Sequence, residues 1–148
     1  MFDFLEEFDT LAGTDITLRI REKYLGDADL PPYYYYNIFE NATDRAVGKI
    51  SVRIGDNDQI YYNGHIGYEI EEPYRGRGYA TEACRMVLRV AQAHGMTRCY
   101  ITCARSNAQS RRVAEKLGAR LLDITPIPRS CFFWHDGIED YCVFERTI

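Results

Sequence analysis

The chain of 148 residues is 46% hydrophobic and 27% charged, the balance of one ordinary globular domain with a sizeable core and too little chain for two. Eighteen Lys and Arg stand against 22 Asp and Glu, and the net charge of −4 excludes a molecule that binds nucleic acid through its overall field, so any polyanion site must be local. No apolar run approaches the roughly 20 residues of a bilayer span, and the stretch Met1 to Thr10 is acidic and aromatic, so a cytoplasmic protein with no membrane partner is expected.

Strand-like text fills the first half. Ile16 to Arg21, Val47 to Ile54 and His65 to Glu71 alternate apolar and polar residues, and Tyr34 to Glu40 is aromatic and apolar. Asn41 to Arg45 and Gly55 to Asp58 break these runs, which predicts an antiparallel meander. After Glu72 the period changes. Ala80, Ala83, Val87, Val90, Ala91 and His94 recur at helical spacing, with Gly95 as the stop. A short strand over Arg98 to Cys103, a helix over Ser106 to Leu117 closed by Gly118, and strands at Arg120 to Ile124 and Tyr141 to Arg146 complete the chain. Pro126 to Gly137 loops between the last two. The class is a mixed α/β or α+β sandwich with helices packed on a sheet. Five cysteines, Cys84, Cys99, Cys103, Cys131 and Cys142, read as reduced buried thiols, and no spacing among them supplies a metal site.

The informative segment runs from Ile66 to Ala80: a strand, a turn with Arg75, Gly76, Arg77 and Gly78, then a helix start. A helix N-terminus offers unpaired N–H groups and the positive end of the macrodipole, and glycines let the backbone wrap an anion. The turn is either a plain connection or a pyrophosphate site, and its two arginines favour the second. No Walker loop is present, and a Rossmann site lacks both its third glycine and the acidic residue about 20 positions on. From Ala83 to Ala114 six arginines and no acids occur, a local sign that suits a ligand with several phosphates.

These residues resemble the cofactor motif of the GNAT superfamily of N-acetyltransferases: Arg or Gln, two residues, Gly, one residue, Gly or Ala, matched by Arg75, Gly78 and Ala80. The order of elements from Ile16 to Arg146 is similar too. The resemblance implies a GNAT-like fold, a mostly antiparallel sheet splayed at its centre with flanking helices, and an acetyl-coenzyme A (acetyl-CoA) site. It places the amides of Gly76, Arg77, Gly78, Tyr79, Ala80 and Thr81 on the pyrophosphate and Ile70 and Glu71 beside the pantetheine arm. Asn107 matches the family's frequent Asn, and the Asn107 to Ser110 spacing looks like the branch that acetylates ribosomal-protein N-termini and small amines. Ser106 and Gln109 also form a capping-box pattern, and Asn107 is a good N-cap, so a structural role competes.

Two departures matter. Where many members carry a Tyr seven residues after that Asn, this chain has Ala114, which leaves Ser110, one turn earlier, as proton relay, cofactor contact or plain helical serine. Only about a dozen residues, Glu22 to Tyr33, replace the usual two helices between the first two strands. The acceptor pocket then falls to the Tyr33 to Tyr36 cluster, to the late loop with Phe132, Phe133 and Trp134, or to a second subunit in a homodimer. Side chains on one strand alternate, so Tyr34 and Tyr36 are expected at the pocket and the other two in the core. An alkylammonium with a pKa of about 10.4 needs a base, and Glu69, opposite in face to Tyr68 and Ile70, is the candidate for taking its proton through a water. A strand amide near Ile70 is the natural oxyanion donor. His65 and His135 read as ordinary structural or loop histidines. The expected function is direct acetyl transfer to a small amine, the acidic net charge leaning toward a cationic one; the alternative is a non-catalytic acyl-CoA sensor.

Overall fold

The alternating first half folds as five antiparallel strands in a computed structural model that describes residues 2–148. They are β1 (Thr10–Ala12), β2 (Ile16–Tyr24), β3 (Tyr33–Glu40), β4 (Arg45–Arg53) and β5 (Ile66–Ile70), each paired with the next. The three-residue β1, paired from Thr10↔Arg19 to Ala12↔Thr17, is too short to leave a periodic signature. Residues 25–32, between β2 and β3, hold no helix. One helical turn, α1 (Ile60–Asn63), follows the Gly55 to Asp58 break and is too short to leave a helical period. Then come α2 (Tyr79–Ala93), β6 (Arg98–Ala104), α3 (Ala108–Lys116), β7 (Arg120–Thr125) and β8 (Tyr141–Thr147). The last three strands form a second antiparallel sheet with β8 in the middle.

The core lies between one face of the five-stranded sheet and α2. Ile16, Leu18, Ile38, Ile50 and Val52 meet Ala83, Cys84, Val87 and Val90, all buried, because the period-two and 3.6-residue patterns each gather their apolar residues on one side. The same parity corrects the expectation for the tyrosines. Tyr34 and Tyr36 share the face of Ile38, are wholly buried, and stack at 6.2 Å between ring centroids. Tyr36 donates to Phe8 O at 2.6 Å, while the Tyr34 hydroxyl accepts from Leu5 N–H at 2.8 Å and pairs with His94 Nε2 at 2.7 Å. The N-terminal segment thus satisfies the hydroxyls that would make burial costly. Neither ring lines an acceptor pocket; Tyr33 and Tyr35 are the half-buried pair on the opposite, open face.

The two sheets are hydrogen-bonded to each other at His65 and Tyr100. His65 N–H donates to Tyr100 O at 2.8 Å, and Tyr100 N–H donates to His65 Nδ1 at 2.9 Å, so an imidazole replaces the strand carbonyl that would continue the ladder. Beyond it β5 and β6 belong to different sheets, which opens a V toward Ile70. All five cysteines are free and buried, and burial pushes the thiols of Cys84 and Cys99 up to about 12 and that of Cys103 to about 11. They are neutral packing groups and poor nucleophiles. No helix is long and apolar enough to cross a membrane, and the described residues contain no cluster of three or more metal-ligating side chains.

Candidate active site

The open end of the V is a cleft of about 530 Å³ between the end of β5, the turn that follows, the start of α2 and one face of α3. Gly76 and Gly78 sit at φ +80° and +81°, and a Cβ at either would meet nothing within 4 Å. Their need is therefore conformational, because L side chains rarely adopt this region, and the result is a turn of bare backbone facing the cleft. Gly78 caps α2 without a side-chain hydrogen bond. The first helical bond is Glu82 N–H to Gly78 O at 3.1 Å, which leaves the N–H groups of Tyr79, Ala80 and Thr81 without intrahelical partners at the positive end of a 15-residue helix. Arg112 and Lys116 of α3 stand on the opposite wall. Three bare amides facing two cations fit a pyrophosphate.

The two arginines of the turn act otherwise than expected. Arg75 Nε donates to Ile70 O at 2.8 Å and so ties the turn to the end of β5. Arg77 leaves the cleft and pairs with Glu40 at 2.9 Å; the Tyr79 hydroxyl donates to the same carboxylate at 2.5 Å and Thr43 Oγ1 at 2.9 Å. The Tyr79 hydroxyl, then that of Thr43, hold the Glu40 carboxyl below its ordinary range. Glu40 thereby anchors the phosphate turn from the end of β3, a role no local pattern announced.

Register decides which amides of β5 are available. Ile70 stands opposite Gly48, and Glu71 N–H donates to Val47 O at 2.9 Å, the geometry of a pair that exchanges no hydrogen bonds of its own. Ile70 therefore turns its N–H and C=O away from β4, into the V, and so does Tyr68 two residues before. With the Ile70 carbonyl taken by Arg75, the Ile70 N–H is left to face the cleft. Glu71 corrects the expectation: its N–H serves β4 and its side chain lines a different groove, on the open face of the sheet. Glu69 lies on the rim shared by that groove and the cleft.

Across the cleft, Asn107 is the N-cap of α3, its Oδ1 accepting from Ser110 N–H at 3.1 Å. The Ser106 and Gln109 capping box does not form, because Glu139 binds both Ser106 N–H and Oγ at 2.7 Å. Ser110 faces the cleft and accepts from the Tyr68 hydroxyl at 3.1 Å. Burial pushes the Tyr68 phenol up to about 12, so it remains a proton donor at neutral pH. Tyr68 escaped the sequence reading because its alternation marks it only as core-facing, and its partner lies 42 residues away. Ala114 is fully buried, on the core side of α3. His65 is enclosed between the sheets, the His135 ring pairs with Asp136 O of its own loop, and the Phe132 to Trp134 segment lines neither groove.

The domain model described as an acetyltransferase (GNAT) domain matches residues 8–120. The chain belongs to this family. It is an acetyl-CoA-dependent N-acetyltransferase. Among solved structures, the ribosomal-protein-S5-alanine acetyltransferase from Vibrio fischeri superposes with a TM-score of 0.69 at 14% identity, covering 93% of this chain and 96% of that one. RimL, a ribosomal L7/L12 alpha-N-protein acetyltransferase, gives 0.67 at 17% identity, with 92% of each chain covered. The microcin C7 self-immunity acetyltransferase MccE, in complex with acetyl-CoA and AMP, gives 0.59 at 21% identity over 78% of this chain and 61% of that one. No curated protein sequence matches this chain. These neighbours share the fold of this chain, and acetyl-CoA is the cofactor of the family.

Proposed function

We propose that this GNAT enzyme acetylates a small primary amine by direct transfer, with Glu69 as base and Ser110, backed by Tyr68, as proton donor. The observation that carries the reading is the meeting, at the edge of β5, of a carboxylate from one face, a phenol–hydroxyl pair from the other, and the unpaired Ile70 N–H between them. Acetyl-CoA supplies the activated acetyl group. Glu69, through a water, accepts a proton from the ammonium, whose ordinary pKa of about 10.4 keeps it protonated otherwise. As the amine nitrogen bonds to the acetyl carbon and the C–S bond breaks, the nitrogen sheds its second proton to water in the open cleft and the Ile70 N–H stabilises charge on the carbonyl oxygen. Ser110 Oγ then gives its proton to the departing sulfur and takes that of Tyr68, and water in the cleft reprotonates the phenol.

A polypeptide amino terminus is the second reading for the acceptor, favoured by the names of the ribosomal-protein acetyltransferases among the neighbours. One chain forms both cleft and groove, so the reading needs no second subunit. The buried free thiols support a reducing, cytoplasmic setting.

Thiol release from acetyl-CoA with a panel of primary amines and short peptides tests the proposal. Amine-dependent release is expected, and Glu69→Gln should lower turnover and move the pH profile upward, toward the pKa of the free amine. An unchanged profile removes Glu69 from the mechanism, and CoA binding without amine-dependent release reduces the protein to a sensor.

A further inference from the structure

The missing helices between β2 and β3 leave bare the face of the five-stranded sheet that is opposite the core. On it lies a groove of about 280 Å³, bounded by Arg21, Asn37, Lys49, Glu69 and Glu71 with Gly48 in its floor. Resting on the acetyl-transfer reading above, we propose that this groove is the acceptor site and that it selects a small dipolar amine, one that carries a carboxylate as well as the amino group.

The strand register builds the groove. Asn37 stands opposite Lys49, and Lys49 opposite Glu69, so one row crosses β3, β4 and β5 on the same face. Arg21 enters from β2 at the register shift between Ile20 and Glu22, where the bulge re-aims it across the sheet, its guanidinium 5.5 Å from the Tyr35 ring centre. Gly48 is obligatory: a Cβ there would collide with the Glu69 carbonyl, so only glycine lets β5 approach and set Glu69 at the end of the row.

The charges are separated by sign, with two cations toward β2 and β4 and two carboxylates on and just after β5. Elsewhere on the surface opposite charges pair, as Lys23 does with Asp9 at 2.9 Å and Arg19 with Asp44 at 3.2 Å. Lys49 and Glu69 are direct cross-strand neighbours, yet no ion pair within 4.0 Å joins any two of the four groove charges among the described residues. None of the four side chains has another hydrogen-bond partner among the described residues either. A ligand with one charge of each sign satisfies both ends. Its orientation is fixed by Glu69, which borders the cofactor cleft: the amine lies at the carboxylate end, beside the thioester, and the carboxylate lies toward Lys49 and Arg21. The volume is at the lower limit of small-molecule pockets, about 300 Å³, and suits a ligand of amino-acid size. The acidic net charge of the whole molecule, which leaned toward a cationic acceptor, is thus balanced locally, two cations against two carboxylates.

The test is steady-state acetylation by the full chain with glycine, 4-aminobutyrate, ethanolamine, putrescine and a tripeptide as acceptors. The aminocarboxylates are expected to show kcat/KM about tenfold or more above ethanolamine and putrescine, since each is held by an added charge-assisted contact. Lys49→Met and Arg21→Met should each raise KM for the aminocarboxylate by about tenfold while KM for acetyl-CoA stays in place, and Lys49→Arg should restore it. Preference for putrescine or the tripeptide, or an unmoved aminocarboxylate KM in both methionine variants, overturns the groove assignment and leaves the enzyme intact. Absence of transfer to every amine overturns the underlying reading as well.

Discussion

Replacing Tyr68 by Phe removes one hydroxyl from the cleft and tests whether Ser110 works alone. In the structure the phenol donates to Ser110 Oγ at 3.1 Å, which leaves the serine proton free to point at the departing sulfur. A neutral hydrogen bond of this kind is worth about 0.5–1.5 kcal/mol net. If it orients Ser110 in the transition state, its loss lowers kcat by about 2- to 13-fold, at 1.36 kcal/mol per factor of ten. If Tyr68 also returns the proton, the loss rises toward the range of about 10²–10⁴ typical of general acid–base groups. Thiol release at saturating acetyl-CoA and amine is the assay, run on Tyr68→Phe, Ser110→Ala and the double variant. The two hydroxyls form one unit, so the double variant should be no slower than the worse single, and its melting temperature should stay close to that of the parent because position 110 faces the open cleft and phenylalanine keeps the ring of Tyr68. Additive losses would refute the relay.

Two further outcomes bear on the framework. Gly78→Ala places a Cβ at φ +81°, a strain of about 1–2 kcal/mol for an L residue, so the melting temperature should fall by a few degrees and affinity for CoA should drop in calorimetry; unchanged affinity would remove the bare turn from phosphate binding. His65, fully buried, uses Nδ1 to accept from Tyr100 and presents Nε2 to Gly55 O at 3.0 Å and Asp56 at 3.2 Å. Burial lowers its pKa, so the unfolded chain binds the proton more tightly; the stability it contributes is present above the ordinary value of about 6.5 and is lost as pH falls through the folded value. His94 shifts in the same direction. His65→Asn, which keeps an acceptor for Tyr100, should therefore flatten part of the decline in melting temperature on acidification, and an undiminished decline would show that the junction of the sheets does not sense pH.

What could be read in advance follows the range of the interactions involved. Strand alternation, the helical period of α2 and the glycines of the turn are local, and they suffice for the meander, the glycine turn and the face of Glu69. Tertiary pairing decided the rest. Which face of β3 is inner depends on its register with β2 and β4, so alternation could divide Tyr33 to Tyr36 into pairs but not say which pair is buried. Arg77 and Tyr79 were read from their place beside the glycines, whereas Glu40, 37 and 39 residues away, claims their side chains. Ser110 was legible through its spacing from Asn107; the phenol behind it was not.

Period-two geometry makes the chemistry of β5 inseparable from its register. Tyr68 and Glu69 are adjacent, so they must project to opposite faces of the strand, and the strand lies at the edge of its sheet because His65 ends the pairing with β6. In the proposed mechanism the proton taken on the open face and the one delivered on the core face are thereby kept on separate sides of the reacting carbonyl, with the Ile70 N–H at the boundary. A slip of one residue would bury Glu69 against α2, expose Tyr68 and turn the Ile70 amide back toward β4. Gly48 guards against a related failure, since any side chain there would push away the carbonyl of Glu69. On the proposed reading the acceptor is confined to the bare face and acetyl-CoA to the V, an arrangement that requires neither the two absent helices nor a tyrosine at position 114.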